Sequence, residues 1–491
     1  MNSRQFKAVC LAFSRVAASL SVLFCYGMLS RWLSKEEYAT LRQLTLTYKA
    51  VLPFAAMGIP AALMYFLPKE SDHQRSIVIK SLIALSTTGG IFFLYIVLGG
   101  NQFLAGLFNN PALAPALSRY SPYFLLAIPL SIATPCLIAT GRTLTSVVVS
   151  LVGVLLYVLI VLVIAASHPT ALDISSGLVL HVMIMLPLML FLIFQATKGS
   201  AGQPQKLDLR SILAYSVPLG LGTMVATLTI YVDKFVVAAF LPPFEFAIYV
   251  NGATEVPLIG AVTGAAAAVI LPEMVAKISS GNSHGALDLW KGAAVKSAWI
   301  LFPVTSVLWV LAPYLIVLLF GEDYQKSTPI FRIYLLIVPI RIAFFSLIYQ
   351  GCGKSGLLLR RCVLALVLNA VFSIPMVIYF GAIGAALTTV IITWAVMVPY
   401  NCFETSRLLG VRVSELFDLK RLLRVALGSF AMAAILVVVS SILYFSNLAS
   451  LVILGLTTLL ILPVLYLIFA VWTIDDVRTL SNQLRQKLSR K

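Results

Sequence analysis

The sequence predicts an all-α polytopic membrane protein with about fourteen transmembrane helices. They are expected to form two six-helix lobes related by a pseudo-twofold axis along the membrane normal, plus two C-terminal helices. Three observations lead there. Of 491 residues 60% are hydrophobic and 11% charged, with mean hydropathy +0.99, which leaves too little charge to clothe a water-soluble surface. Apolar runs of the length needed to cross a bilayer, about 20 residues, recur from end to end. The two halves of the chain also carry similar text in the same order.

The first lobe (1–200) holds spans at 8–30, 43–67, 77–99, 121–140, 144–166 and 176–197. The opening segment has a signal-peptide outline, with Arg4 and Lys7 before an apolar stretch. It lacks a small-residue cleavage site and Arg15 interrupts it, so it reads as an uncleaved first span. Residues 201–210, within the polar and Gly/Pro-containing stretch KGSAGQPQKLDLR, read as a cytoplasmic linker. The second lobe (211–405) holds spans at 211–240, 245–270, 294–320, 329–350, 357–380 and 383–404. Two further spans, 421–446 and 448–472, fill the segment 421–472, and a basic tail (473–491) ends the chain.

The net charge of +17 would suggest nucleic acid in a soluble protein. Here it reports orientation. With the N-terminus placed inside, cytoplasmic segments hold 25 of the 35 Lys and Arg residues, external ones six, and four lie within spans. That asymmetry predicts both termini in the cytoplasm and no nucleic-acid partner. The six cysteines are scattered without paired spacing, so neither a disulfide framework nor a metal site is expected.

The duplication rests on several short matches. Leu33–Ala39 (LSKEEYA) matches Leu241–Ala247 (LPPFEFA) at an offset of 208, and Phe66-Leu67-Pro68 matches Ile270-Leu271-Pro272 at 204. YFLLAIPL, ending at Leu130, matches IYLLIVPI, ending at Ile340, at 210, as do Leu137-Ile138 and Gly141 with Leu347-Ile348 and Gly351. The offset drifts only by loop-sized amounts. An even number of spans per repeat inserts both in the same orientation, which is the origin of the expected axis.

Charges within spans are costly and mark function or pairing. Arg341 and Glu255 fall near the middle of spans 329–350 and 245–270; Lys49 lies near the outer end of its span and Arg15 in the inner third of its own. Asp233 and Lys234 are adjacent, on the order of 10 Å below the outer end of span 211–240. Neighbouring residues point about 100° apart on a helix, so they are not expected to neutralise each other directly. Lys234 with Glu255 is one candidate pair. At the 208 offset their counterparts are Cys25 and Tyr26, so the charges belong to one lobe only. With Glu404 near a cytoplasmic end, the set is four basic against three acidic, a balance suited to an anionic passenger such as a phosphate or carboxylate. Tyr48, Tyr65, Tyr231, Tyr249 and Tyr349 lie near these charges and could offer flat faces to sugars. Prolines within spans, among them Pro53, Pro60, Pro129, Pro257 and Pro339, are candidate bending points.

No GxxxxGK[ST] phosphate loop occurs, and the longest external loop, 100–120, is too short for a catalytic domain. Both facts weigh against an ATPase and against a membrane glycosyltransferase or polymerase.

Four stretches resemble a known family. RWLSKEEYATLRQ followed by FAAMGIPAALMYFLPKE is similar to the Leu-x-x-x-Glu-Tyr turn and the second-span ending of polysaccharide-transport flippases. LFGEDYQKSTPIFRIYLLIVP resembles their entry into the tenth span, and YVDKFVVAAFLPPFEFAIYVNGA their seventh-span signature. These Wzx-type lipid-linked oligosaccharide flippases belong to the multidrug/oligosaccharidyl-lipid/polysaccharide (MOP) exporter superfamily, which includes the MATE transporters. The resemblance covers residues 1 to about 405. It implies two six-helix lobes around a cationic cavity, and transport by alternating access of an undecaprenyl-diphosphate-linked oligosaccharide (an O-antigen, capsule or exopolysaccharide repeat unit) from the cytoplasmic to the external leaflet. It implies no enzymatic activity and no cofactor. Asp233 or Glu255 could carry a coupled proton or sodium ion, or the membrane potential alone could act on the charges. Carried onto this chain, the substrate-binding residues are Arg15, Lys49, Lys234 and Arg341, with Asp233 and Glu255 as an ion-coupling site or a structural ion pair. Expected partners are the lipid-linked substrate, membrane lipid, and polysaccharide polymerase and chain-length machinery. The expected setting is the bacterial inner membrane, as a monomer. The competing reading within the superfamily is a drug or cation antiporter, whose site would be dominated by carboxylates.

Overall fold

The computed structural model describes residues 3–198, 209–442 and 447–469. Most of the expected linker (201–208), parts of the two added spans (443–446 and 470–472) and the basic tail (473–491) lie outside the described residues.

The described residues are helical, with no strand among them. In order they form α1 (Ser3–Trp32), α2 (Lys35–Ala56), α3 (Ile59–Lys69), α4 (Gln74–Tyr95), α5 (Asn101–Leu107), α6 (Leu113–Leu130), α7 (Ala133–Ala139), α8 (Thr143–Ser167) and α9 (Ala171–Ala196). Then come α10 (Leu209–Phe240), α11 (Pro243–Gly252), α12 (Pro257–Ser279), α13 (Ser283–Phe320), α14 (Ser327–Leu335) and α15 (Phe345–Gly351). The chain continues through α16 (Ser355–Ile391), α17 (Val398–Leu409), α18 (Leu419–Ile442) and α19 (Asn447–Ile468).

Local chemistry starts several of these helices. The Ser34 hydroxyl accepts from the Glu37 N–H at the head of α2, with Glu36 and Glu37 on the positive end of the dipole. Thr170 caps α9 and Asn282 caps α13 in the same way. Helix α8 is rich in β-branched valines, yet it is helical throughout, because in hydrocarbon each backbone N–H must find its acceptor within the segment.

Among the described residues eleven helical runs are long and apolar enough to cross a membrane, twelve with the bent pair α2–α3. One run, Gly356–Leu409, has 54 residues, about 80 Å of helix at 1.5 Å per residue, too much for a single crossing. It is interrupted at Gly381 (φ 59°, ψ −146°), a conformation open to glycine, and so contains two of the expected spans. With the shorter α19, every one of the fourteen expected stretches contains helix. At most 44% of any span's apolar window is buried within the protein, so the oily faces point outward, as in a multi-pass membrane protein.

The chain forms two compact units. The first takes described residues from 1–250 and 359–389, the second from 251–358 and 390–491. This partition differs from the sequence repeat, since a repeat records the origin of segments and a compact unit records their contacts. In the first unit α1 packs on α8, α6 on α4 and α9, and α10 on both α2 and α3. The chain turns between α2 and α3 at Met57 (φ 45°) and Gly58 (φ 70°). A Cβ on Gly58 would stand 2.2 Å from the Ser216 carbonyl oxygen of α10, so glycine permits both the turn and the close approach.

In the second unit α13 is the hub. Trp290 is buried beside Phe345 and Phe417, and farther along α13 Val310 and Leu311 pack with Met432, Leu436, Leu454 and Leu465 of α18 and α19. The Tyr466 hydroxyl donates to the Trp299 carbonyl at 3.0 Å. The two added helices therefore pack against α13.

Candidate functional site

Asp233 and Lys234 lie on the stretch of α10 that leads into α11, in the first unit. They are 3% and 9% exposed. Contrary to the expectation from helix geometry, they pair with each other: Lys234 Nζ is 3.4 Å from Asp233 Oδ1. Their Cβ atoms diverge, but the four-carbon lysine stem folds back along the helix, and Nζ also donates to the Ile230 carbonyl one turn earlier at 3.0 Å. The Tyr249 hydroxyl of α11 donates to Asp233 Oδ2 at 2.6 Å, a short charge-assisted bond. Glu255, the candidate partner for Lys234, is bonded to Arg341.

Sequence reasoning missed Arg42, placing it in an external segment. It is buried on α2, donating to the Tyr38 hydroxyl at 3.0 Å and to the Val250 carbonyl at a longer 3.5 Å. Its guanidinium lies 4.4 Å from the Tyr26 ring centroid. The available signal was the i,i+4 spacing of Tyr38 and Arg42, which puts both on one face of α2. These bonds tie α2 to α11 at Val250, and those of Asp233 tie α10 to the same short helix at Tyr249.

Of the tyrosines considered for sugar contact, Tyr249 and Tyr349 are fully buried. Their hydroxyls are engaged by Asp233 and by Asn401 (2.9 Å), so those two faces are closed. Tyr65 is exposed and stacks on Tyr215 of α10 at 4.9 Å. Tyr48 packs edge-on against Tyr123 at 4.9 Å, and Tyr123 stacks on Tyr120 at 4.5 Å.

In the second unit two expected spans are broken, and each break carries a charge. Span 245–270 is interrupted at 253–256, and Glu255 sits in that non-helical link just before Pro257 opens α12. Span 329–350 passes through a 3-10 turn, Val338–Ala343, and a left-handed Phe344 (φ 44°), and Arg341 lies in that turn. The Leu336 carbonyl freed at this break accepts from the Trp394 indole at 2.9 Å. Arg341 Nη2 donates to Glu255 Oε1 at 2.8 Å, with the side chains 40% and 69% exposed. The structure thus brings these two predicted residues together.

Residues 28–329 match the profile of a family described as "Polysaccharide biosynthesis protein". The chain belongs to that family. The match includes Lys49, Asp233, Lys234 and Glu255 and stops short of Arg341. No curated protein matches the sequence. Among solved structures the chain is similar to the lipid II flippase MurJ in an inward closed conformation, with TM-score 0.71, 17% identity, and 95% of this chain and 98% of that one covered. An inward-facing MATE-family multidrug resistance transporter of the MOP superfamily gives TM-score 0.65 at 14% identity, over 81% and 98%. A MOP superfamily transporter from Pyrococcus furiosus gives 0.58 at 15%, over 82% and 96%. At such identities the likeness establishes the fold, which is that of the MOP transporters.

The remaining two candidate cations of this family member lie in the first unit. Lys49 is exposed on α2, although most residues from Tyr38 to Ala50 around it are buried. Arg15 is exposed on α1, and among the described residues its side chain makes no hydrogen bond or ion pair. At span depth an exposed ammonium or guanidinium is stable where water or an anion can reach it. Taken singly, the charges sort into a buried, self-neutralised pair (Asp233–Lys234) and an exposed group (Arg15, Lys49 and Arg341 with Glu255).

Proposed function

We propose that this protein is a flippase for an undecaprenyl-diphosphate-linked oligosaccharide, an O-antigen, capsule or exopolysaccharide repeat unit. The passenger moves from the cytoplasmic to the external leaflet of the bacterial inner membrane by alternating access, with both protein termini in the cytoplasm. The observation that carries this reading is the sign of the exposed span-depth charge: Arg15, Lys49 and Arg341 against the single carboxylate of Glu255. Each of these cations offers guanidinium or ammonium donors to an oxyanion such as a diphosphate, which a carboxylate-dominated cation site would repel. Membership of the polysaccharide biosynthesis family supports the same passenger class. Lys234 serves transport in this reading only if a rearrangement parts it from Asp233.

The protein acts without catalysis and without a cofactor, as a monomer, alongside a polysaccharide polymerase and chain-length machinery. The driving force is a proton or sodium gradient or the membrane potential acting on the moving charge. Replacing Arg341 by Ala is expected to stop surface polysaccharide assembly at an unchanged protein level. Normal polysaccharide in that strain refutes the role given to Arg341. The MATE-like fold also admits a drug or cation antiporter; drug resistance on overexpression, with intact glycan in a deletion strain, would establish that reading instead.

A further inference from the structure

The Glu255–Arg341 pair has a geometry unlike a structural tie. Contact is through one nitrogen and one oxygen, at 2.8 Å. A guanidinium has five N–H donors in a planar fork, suited to two-point binding of an oxyanion. Among the described residues no other hydrogen bond is made by either side chain, so four donors of Arg341 and Oε2 of Glu255 are unused. The carboxylate is the more open partner, at 69% against 40%. Both residues stand in backbone interruptions, Glu255 in the link 253–256 and Arg341 in the turn Val338–Ala343, where a side chain can swing without unwinding a helix. By contrast the Asp233–Lys234 pair is buried and braced by Tyr249.

We infer that Glu255 is an exchangeable stand-in for the passenger: its carboxylate occupies Arg341 when the site is empty, and a diphosphate group displaces it on binding. A weak, exposed internal partner has two consequences. It keeps the guanidinium aimed into its site, and it lowers affinity enough that an anion bound at two points can leave again. An exposed pair of this kind contributes little, up to about 1 kcal/mol, so the expected competition is modest and reversible. This rests on the passenger reading above and adds to it a residue that sets affinity.

The test uses the full chain in nanodiscs, titrated by calorimetry with geranylgeranyl diphosphate and, separately, with inorganic pyrophosphate. Glu255→Gln is expected to tighten binding of the lipid diphosphate about five-fold, equivalent to about 1 kcal/mol. Glu255→Ala is expected to do the same, which separates competition from a defect peculiar to one side chain. Arg341→Gln is expected to weaken binding at least ten-fold, with no recovery in the Glu255→Gln/Arg341→Gln double variant. Unchanged or weaker binding in both Glu255 variants, with wild type binding the lipid diphosphate, overturns the stand-in and leaves the passenger reading intact. Equal binding of pyrophosphate and lipid diphosphate, both tightened by Glu255→Gln, supports the stand-in and defeats the lipid passenger. Wild type binding neither overturns both.

Discussion

Removing the Asp233 carboxylate tests whether the polar cluster between α10 and α11 holds the first unit together. Asp233→Ala takes from Lys234, 9% exposed, its carboxylate at 3.4 Å and from the Tyr249 hydroxyl its acceptor at 2.6 Å. Breaking a buried pair by deleting one partner costs about 3–5 kcal/mol, because the other charge is left behind. Tyr249→Phe keeps the ion pair and deletes a hydrogen bond to a charged group, about 1.5–3 kcal/mol. Replacing both charges, Asp233→Leu with Lys234→Met, removes the desolvation burden together with the attraction and should recover the ion-pair part of the loss, leaving the cost of the acceptor taken from Tyr249. Thermal midpoints of the purified protein in detergent should therefore fall in the order wild type, then Tyr249→Phe and the double variant, then Asp233→Ala. A single variant Asp233→Ala as stable as Tyr249→Phe, or a double variant no better than Asp233→Ala, would refute the assignment of a buried, mutually dependent pair.

Other perturbations separate close contacts from open space. Gly58→Ala should sharply lower stability, since its Cβ would meet the Ser216 oxygen at 2.2 Å at a positive φ, whereas Gly222→Ala, with nothing within 4 Å, should be neutral or slightly stabilising in the same thermal assay. Arg42→Lys keeps the charge but loses the planar face lying 4.4 Å from Tyr26; a loss of about 1–2 kcal/mol is expected in thermal or chemical unfolding. Lys49→Gln, at an exposed position, should leave the midpoint within about 0.5 kcal/mol of wild type while polysaccharide export falls, read by surface glycan staining.

Much of the architecture was legible because bilayer thickness imposes a length on every span, and composition reports it directly. Helix breaks were only half legible. Pro257 and Pro339 lie at real interruptions, but Pro218 and Pro303 lie inside continuous helices, so proline alone does not decide where a helix parts. Charge pairing was least legible. The partner of Asp233 was its own neighbour, reached by a flexible stem whose rotamer is set by packing against Ile230 and Tyr231. Arg42 looked like a loop residue because hydropathy marked the start of the second span too late; α2 already begins at Lys35.

The duplication and the broken helices bear on each other. The pair α2–α3 corresponds to α11–α12, and α6–α7 to α14–α15, so the same two members of each repeat are interrupted. At the 210 offset Arg341 corresponds to Ser131, which sits at the α6–α7 break, and at 208 Glu255 corresponds to Thr47. The α6–α7 interruption thus recurs at the equivalent place in the second copy and carries its charge only there, whereas α2 stays helical through Thr47 and parts ten residues later, at Met57 and Gly58. If the break is a requirement of the fold and the charge a requirement of the passenger, Arg341→Ser, which installs the first repeat's residue, separates them. Loss of one exposed ion pair should change stability by about 1 kcal/mol or less, and polysaccharide assembly should stop. A large drop in thermal midpoint with that substitution would instead make the pair a structural brace, and the asymmetry between repeats would then concern stability alone.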